Sequence, residues 1–420
     1  MTKNNSQKNI FTTKDALASW IPNRTEKQAL NRRSQLELIT QVDEIWELLK
    51  NQLDDLLAVD SPHTFHPEKF TYKELAENIS KAASAFSQLG VEPNDVVALF
   101  AENSPRWLIA DQGLMRIGAT DSVRGATAPP SELRYILEDS NSVGLIVQNS
   151  DVWERISLDN NQIHSLKFVL QLEGKACEGV LEWESFLKKG LNGENLNKQE
   201  KIIERNSKRI ATILYTSGTT GKPKGVPLTH SNLLHQIRSL ACVANPPPGA
   251  PVLSVLPIWH SYERSAEYYF FSCGCTQTYT SIRHLKEDLP RVKPIVMATV
   301  PRLWESIKLG FEDAVDKMPS LRKILIKGAI SNSKAYKLAR RKICFLTIDS
   351  VSLLEKTISF IEFLLRYPIH KISSIYLWPK ILAKICGGRL RFPISGGGAI
   401  APHIDSFFEA LGVELLVGYG

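Results

Sequence analysis

The feature that most constrains this chain is an apolar segment at residues 210–215 that runs directly into a glycine-rich loop. The segment, Ile-Ala-Thr-Ile-Leu-Tyr, has the composition of a buried strand. The loop combines glycines, hydroxyl side chains and lysines, namely Thr216, Ser217, Gly218, Thr219, Thr220, Gly221, Lys222, Lys224 and Gly225. Glycines let a backbone approach a ligand closely, and N–H groups, hydroxyls and ammonium groups together suit a polyphosphate with its Mg²⁺. The sequence therefore predicts a phosphate-binding loop at the end of a buried strand.

This loop differs from a Walker loop, which places four residues between two glycines and follows the second with Lys-Ser or Lys-Thr. Here Gly218 and Gly221 are two residues apart, and Pro223 follows Lys222. Proline offers no N–H group to a phosphate. We expect a phosphate loop of another kind; the alternative is a surface turn rich in glycine, threonine and lysine.

Residues 215–226, Tyr-Thr-Ser-Gly-Thr-Thr-Gly-Lys-Pro-Lys-Gly-Val, resemble the signature of the adenylate-forming enzymes, which include acyl-CoA synthetases, luciferases and peptide-synthetase adenylation domains. The resemblance implies the N-terminal domain of that superfamily and a need for ATP and Mg²⁺. It also implies that Thr216 contacts the metal and that Lys222 is catalytic. The remaining implied ATP-binding residues of this loop are Ser217, Gly218, Thr219, Thr220, Gly221 and Lys224.

A second motif, Leu-Pro-Ile-Trp-His-Ser-Tyr-Glu-Arg at residues 256–264, resembles the loop that lines the acyl and thiol tunnel of the superfamily. Its Glu-Arg ending is similar to the long-chain branch, as is Val-Pro-Arg-Leu-Trp-Glu at residues 300–305, although that stretch also suits an ordinary helix start. His260 follows a predicted strand, where the sites of α/β proteins lie. We expect His260 to shape the site near the substrate carboxylate and not to act as a free general base; a purely structural role is the alternative. Arg264 stands where some relatives carry an aromatic gate.

Two further stretches resemble the adenine pocket of the superfamily. Gly396, Gly397 and Gly398 directly follow a predicted strand, and Gly-Tyr-Gly ends the chain at residues 418–420. Glycines allow a backbone to pass beside a base, and the resemblance implies that the ring of Tyr419 packs against adenine.

Alternating strand and helix patterns predict an α/β fold with layered, mostly parallel sheets and flanking helices. A chain of 420 residues exceeds what one core usually supports. We expect a flexible arm at residues 1–29, an N-terminal α/β subdomain at 30–210 and a second at 211–420. Helices are predicted at residues 30–58 and 227–242, and a capping box at Thr71 predicts a helix start there.

The net charge of +7 fits anionic substrates or an anionic membrane surface, and no nucleic-acid-binding pattern occurs. The six cysteines are scattered, so we expect reduced thiols. The N-terminus is polar and no run of 18 uncharged apolar residues occurs, so we expect a cytoplasmic protein with peripheral membrane contact left open.

Residues 320–385 depart from a minimal adenylation core, because a basic stretch is followed by an apolar, aromatic one. One interpretation is an inserted pair of helices that packs on the domain. The other is a basic amphipathic surface that rests on anionic lipid.

The resemblance implies ATP-dependent activation of a long-chain fatty acid through an acyl-adenylate, with transfer to CoA or acyl carrier protein. It also implies a magnesium-binding glutamate, a ribose ligand and a C-terminal lysine beyond Gly420, so we expect this chain to be a truncated form without the C-terminal domain. A ligase for another carboxylate and an inactive nucleotide- or lipid-binding fragment are the alternatives.

Overall fold

The computed structural model describes residues 32–191, 205–216 and 222–418. The chain divides into two compact units, Met1–Ile39 and Thr40–Gly420. In the first unit, residues 32–36 are helical. The second unit contains all the strands described below.

In chain order, the strands are β1 (Leu57–Ser61), β2 (Glu68–Thr71), β3 (Val96–Phe100), β4 (Thr120–Arg124), β5 (Gly144–Val147), β6 (Phe168–Gln171), β7 (Leu181–Glu182), β8 (Ile210–Thr216), β9 (Lys224–Thr229), β10 (Pro251–Ser254), β11 (Thr276–Tyr279), β12 (Val296–Thr299), β13 (Phe392–Ser395) and β14 (Leu416–Val417).

The α-helices of this unit are α1 (Glu44–Lys50), α2 (Tyr72–Gln88), α3 (Pro105–Arg116), α4 (Pro130–Asp139), α5 (Ser150–Ile156), α6 (Asn160–His164), α7 (Trp183–Leu191), α8 (His230–Ser239), α9 (Ser261–Ser272), α10 (Leu285–Val292), α11 (Pro301–Asp316), α12 (Ser320–Ile343), α13 (Leu353–Ile372), α14 (Trp378–Ile385) and α15 (Pro402–Leu411). A short 3₁₀ turn, Leu240–Cys242, follows α8, and a π-helical turn, Ser373–Leu377, joins α13 to α14.

The strands form two seven-stranded sheets. The first has the order β7-β6-β5-β3-β4-β8-β9 and the second the order β14-β13-β12-β10-β11-β1-β2. All neighbours are parallel except two hairpins at sheet edges, β8–β9 and β1–β2. Parallel strands covered by helices on both faces are apolar along their whole length, as Val-Val-Ala-Leu-Phe in β3 illustrates. The predicted α/β architecture is confirmed.

Several helix starts follow the local sequence signals. Thr71 caps α2 with the predicted capping box, since its side chain accepts from Glu74 N–H and Glu74 reaches back to the Thr71 N–H. Ser104 caps α3 with its side chain alone, which accepts from the Trp107 N–H, and Pro105 stands in the first turn. The helix α2 therefore begins where the sequence predicted it.

Two helix predictions were wrong in extent. The predicted helix at 30–58 is interrupted after residue 36, resumes as α1, and is replaced by β1 from Leu57. The predicted helix at 227–242 begins only at His230, because residues 224–229 pair with β8 as a hairpin strand. Strand pairing replaces the end of the first predicted helix from Leu57 and the start of the second at residues 224–229, and there it overrides local helical spacing.

The sheets do not follow the predicted boundary between residues 210 and 211. Strands β8 and β9 extend the first sheet, whereas β1 and β2 join the second sheet through β11. The chain therefore crosses between the sheets more than once, and the subdomain limits stay a prediction.

A buried ionic group joins the two sheet systems. Arg264 of α9 is fully buried and donates to Asp121 of β4 at 2.8 Å, to Asp111 of α3 and to Thr212 of β8 at 2.7 Å. Its guanidinium also lies 5.0 Å from the centre of the Trp107 ring. Burial of a charge is costly unless it is paired and hydrogen-bonded, so this group fixes α9 against the first sheet.

Candidate active site

The carboxyl ends of strands from both sheets meet around the loop that follows β10. Asn103, three residues beyond β3, donates from Nδ2 to the backbone oxygen of Leu256 at 2.7 Å. Its Oδ1 accepts from the N–H of Ile258 at 2.9 Å. Ligand sites in parallel α/β sheets lie at such carboxyl ends. The loop with the Trp-His motif is therefore held over the end of the first sheet.

Trp259 lies against the backbone of Gly125, just beyond β4. A Cβ placed on Gly125 would stand 2.7 Å from the indole ring, which is too close for any other residue. The guanidinium of Arg124 lies 5.0 Å from the indole centre, and the indole N–H donates to Glu102 at 3.1 Å. Glycine at position 125 is thus required by the close approach of a ring from the other sheet system.

His260 occupies the N-cap position of α9 and is exposed, with its ring centre 4.3 Å from that of Trp259. Partial burial and the nearby positive charge of Arg124 lower the pKa of His260. The imidazole is therefore neutral at neutral pH. A neutral ring beside Trp259 fits the predicted role of shaping the site, and that role stays a prediction.

Thr216 and Lys224, at the two ends of the predicted phosphate loop, belong to the β8–β9 hairpin. Thr216 pairs with Lys224 at the end of the hairpin. The predicted ATP-binding residues Ser217, Gly218, Thr219, Thr220 and Gly221 lie outside the described residues. Since β8 runs parallel to β4 with Leu214 opposite Val123, β8 ends at the same edge of the sheet as Arg124 and Gly125.

Lys222 and Lys224 are exposed, and among the described residues neither forms an ion pair with an acidic side chain. The ammonium of Lys222 lies 5.7 Å from the centre of the Tyr135 ring. Asp139 holds Tyr135 in place, since its two carboxylate oxygens accept from Tyr135 at 3.0 Å and from Tyr215 at 2.7 Å. Two exposed cations at the carboxyl end of a parallel sheet suit a polyphosphate.

The glycine cluster follows β13 at the corresponding end of the second sheet. A Cβ on Gly396 would stand 3.0 Å from the ring of Tyr262, and Gly397 adopts a φ of +73°. Both positions therefore favour glycine. The Ser395 hydroxyl at the foot of the cluster is buried and has no hydrogen-bond partner among the described residues. The exposed backbone of Gly397 and Gly398 fits a polar ligand such as a nucleotide. Tyr419 lies outside the described residues.

Tyr262 connects the predicted motifs. It belongs to the Trp-His motif, and its ring packs on Gly396 of the glycine cluster. Gly418, the residue before Tyr419, donates its N–H to the backbone oxygen of Ser395 at 2.8 Å. Three predicted motifs therefore converge on the ends of β10, β13 and β14. The described residues show no direct hydrogen bond between Lys222 and His260.

A cavity of about 590 Å³ adjoins the loop that carries Trp259 and His260. Residues from both sheet systems line it, including Asn103, Gln148, Leu256, Trp259 and Ile282. Its volume lies in the range of small-molecule sites. The structure thus offers space for a substrate beside the loop that carries His260.

One group in the cavity wall has the side-chain types of a metal site. The ligand atoms of His63, His284 and Glu287 lie within 4.8 Å of one another. The two imidazole rings stack at 3.9 Å, and His63 Nε2 bonds to the buried carboxylate of Asp288 at 2.8 Å. These contacts already account for the packing of both rings, so we assign the group to the wall of the cavity.

Sequence reasoning missed Asn103, Glu102 and Asp139. Asn103 carried a usable signal, because a polar residue just beyond a buried strand is a site candidate. Asp139 carried none, since its partners Tyr135 and Tyr215 are brought to it by helix–sheet packing. Arg264, considered as a replacement for an aromatic gate, is instead completely buried in the ion group that joins the sheets.

Comparison with known proteins supports the motif resemblance. The sequence matches the AMP-binding enzyme family over residues 50–420. A chloroplastic long-chain-fatty-acid–acyl-carrier-protein ligase of Arabidopsis thaliana is 36% identical over 408 residues, which covers 90% of this chain and 55% of the relative. A long-chain-fatty-acid–CoA ligase of Mycobacterium tuberculosis is 27% identical over 356 residues, with 83% of this chain and 55% of the relative covered. The chain spans about half the length of these curated relatives.

Solved structures confirm the fold. The inhibitor-bound N-terminal domain of FACL13 from Mycobacterium tuberculosis superposes with a TM-score of 0.64 at 17% identity, covering 91% of this chain and 76% of that one. At this level of identity the likeness establishes the architecture of two sheets with flanking helices, and it assigns no substrate.

Proposed function

Because the chain belongs to the AMP-binding enzyme family, we propose that it provides the ATP and fatty-acid sites of a ligase that activates long-chain fatty acids. A fatty carboxylate would attack the α-phosphate of ATP, giving an acyl-adenylate and pyrophosphate. The thiol of CoA or of acyl carrier protein would then displace AMP. The relatives include ligases for both acceptors, and the proposal covers both.

The observation that carries the proposal is that three features lie at the carboxyl ends of the two sheets. They are the β8–β9 hairpin, which flanks the phosphate-loop sequence, the Trp-His loop and the glycine cluster. Lys222 and Lys224 would offset the charge that develops on the phosphates during adenylation. Gly397 and Gly398, both exposed, would admit the nucleotide beside their backbone, and Gly396 would hold the Tyr262 ring close to the cluster.

Mg²⁺, when bound, would contribute charge neutralisation at the phosphates. The Thr216 hydroxyl, exposed at the end of β8, is the side-chain oxygen that the described part of the loop offers to it. The other predicted ATP-binding residues of this loop, from Ser217 to Gly221, and Tyr419 at the adenine, remain part of the proposal on the strength of the motif.

His260 and Trp259 would form the wall between the nucleotide and the fatty acid. The neutral imidazole would lie near the substrate carboxylate without repelling or protonating it, since its pKa is lowered by burial and by Arg124. The adjoining cavity would receive part of the acyl or thiol substrate.

The proposal also includes a cytoplasmic location with contact at a membrane surface, because long-chain fatty acids partition into bilayers. Among the described helices, none is long and apolar enough to cross a bilayer.

The test is ATP–pyrophosphate exchange with palmitate, measured for this chain and for a form fused to the C-terminal region of one of its curated relatives. We expect palmitate-dependent exchange in the fused form, and preference for palmitate over acetate, benzoate and amino acids. Exchange that prefers one of these other acids would replace the long-chain assignment. Nucleotide binding without exchange in the fused form would identify a binding protein instead of a ligase.

A further inference from the structure

Helices α12 and α13 form an antiparallel pair whose exposed surface is unusually apolar. We define the outer face as the apolar residues of α13 that point away from α12, all more than half exposed: Leu353, Leu354, Ile358, Ile361, Leu364, Leu365, Ile369 and Ile372. The loop between the helices adds the exposed Phe345, Leu346 and Ile348. Contiguous exposed apolar patches of this kind mark interaction surfaces.

The arrangement of α13 is the reverse of that in an ordinary surface helix. The side that meets α12 carries Ser359, which is 3% exposed, and His370, which bonds to Ser333 at 2.9 Å. Phe363 stacks on Tyr336 at 4.9 Å on the same side. At 100° per residue, these positions lie on one stripe, and the outer face lies opposite. The polar side of α13 is therefore buried, and its apolar side is presented outward.

A groove runs along one flank of the outer face. It measures about 610 Å³ and is lined by Ile358, Ile361 and Leu365 together with polar groups that include Asn332 and Arg366. Glu362 also lines the groove and accepts from the Arg366 guanidinium at 2.8 Å. The apolar part of the groove has the chemistry to receive an acyl chain.

The same segment holds more positive charge than the whole chain. Residues 320–385 contain 13 Lys and Arg residues against 3 Asp and Glu, a net charge of +10, whereas the entire protein carries +7. The rest of the chain therefore carries a small net negative charge. Five of the 13 cations form ion pairs, namely Lys323, Lys327, Lys337, Arg341 and Arg366, and among the described residues the other eight form none. Positive charge around an apolar helix face is the composition of segments that lie in anionic lipid interfaces.

We propose that the outer face rests in the interface of a bilayer that contains anionic lipids, with α13 parallel to the membrane plane. The apolar side chains would enter the boundary between head groups and acyl chains, and the surrounding lysines and arginines would meet the lipid phosphates. Lipid binding by the outer face does not depend on the proposed function. Only the purpose of that binding, which is to bring the ligase to fatty acid held in the membrane, rests on the proposed function. Two copies facing each other through this surface would bring together two segments of +10, so charge favours the lipid over a second copy.

The first experiment measures co-sedimentation with phosphatidylcholine vesicles, alone or mixed with phosphatidylglycerol, in the absence of ATP. We expect strong binding to the mixed vesicles, weak binding to phosphatidylcholine alone, and partial release as salt rises, because screening shortens to about 3 Å at 1 M. Absent or equal binding to the two vesicle types would overturn the proposal. Since no nucleotide is present, this result is independent of ligase activity.

The second experiment assigns the binding to the outer face. The double variant Ile361→Glu, Leu365→Glu should bind mixed vesicles at least about tenfold more weakly, because two apolar side chains that enter the interface become anionic. The matched control, Val243→Glu, changes an exposed apolar residue outside the segment and should bind like the wild type. Lys371→Glu should weaken binding to mixed vesicles only.

The substituted side chains are exposed, so we expect every variant to stay folded. Thermal unfolding of each variant checks this expectation. Wild-type binding by the double variant would overturn the assignment. Analytical ultracentrifugation of the wild type and the double variant tests the alternative occupant of the outer face, which is a second copy of this chain. If the double variant dissociates a dimer and leaves vesicle binding intact, the outer face is a contact between chains and the lipid proposal is wrong.

Discussion

The Asn103 side chain bonds twice to the segment around Leu256, and these two hydrogen bonds join the carboxyl ends of β3 and β10. One strand belongs to the first sheet and the other to the second. The side chain therefore acts as a fixed link between the sheet that carries the β8–β9 hairpin and the loop that carries His260.

Replacing Asn103 with alanine should destabilise the fold by about 1–3 kcal/mol, because two partly buried backbone groups lose their partner. Urea unfolding measures the loss. Asn161→Ala, an exposed helical position, is the matched control and should change stability by less than about 0.5 kcal/mol. Equal stability of the two variants would show that water replaces the link without cost.

Replacing Lys222 with alanine should weaken ATP binding by at least about tenfold and leave folding unchanged. A charge-assisted hydrogen bond contributes about 1.5–3 kcal/mol, and the side chain is exposed, with its ammonium 5.7 Å from the Tyr135 ring centre. Isothermal titration calorimetry with Mg·ATP measures the change. Lys208→Ala, an exposed lysine just before the opposite end of β8, is the control; unchanged affinity in the Lys222 variant would remove this residue from the phosphate site.

Replacing Arg264 with methionine should destabilise the protein by about 3–5 kcal/mol, because Asp111 and Asp121 would be left as buried carboxylates without their cation. Chemical denaturation measures the loss, and the exposed Arg389→Ala provides the control. The triple variant Arg264→Met, Asp111→Asn, Asp121→Asn should recover part of this stability. No recovery would mean that packing of the guanidinium, and not its charge, holds α9 in place.

Glu263 should make stability depend on pH in a defined direction. Burial raises its pKa from 4.5 to about 8 in the folded protein. The folded state therefore holds a proton that the unfolded state releases between these values, so this group favours folding less as pH rises from about 4.5 to about 8. The variant Glu263→Gln lacks this effect. Its stability relative to the wild type should increase across that interval, as measured by urea unfolding at pH 5, 6.5 and 8; a constant difference would contradict the raised pKa.

Replacing Gly125 with alanine should displace Trp259, because the new Cβ would stand 2.7 Å from the indole. In the form fused to a C-terminal region, palmitate-dependent exchange should fall, whereas the fold should persist. Adding Trp259→Phe removes the contacting edge of the ring and should restore part of the exchange. If the single variant is as active as the wild type, the close approach of this ring does not matter for the site.

The sequence by itself determined the α/β class, the phosphate-loop motif and the order of the site motifs. These features depend on local composition: a buried strand must be apolar, a close backbone approach needs glycine, and a helix start needs a capping side chain such as Thr71. The match of these motifs to the family is independent of how the strands pair.

Only the tertiary structure decided which strands share a sheet and which side chains meet. Strand β1 joins β11 across more than 200 residues, and Arg264 finds Asp121 across 143 positions. The apolar residues of α13 look like core in the sequence, yet the packed side of that helix is the one with Ser359 and His370. The periodicity of one segment shows that its helix has an apolar face. What packs against that face depends on segments distant in the sequence, and a local pattern carries no information about them.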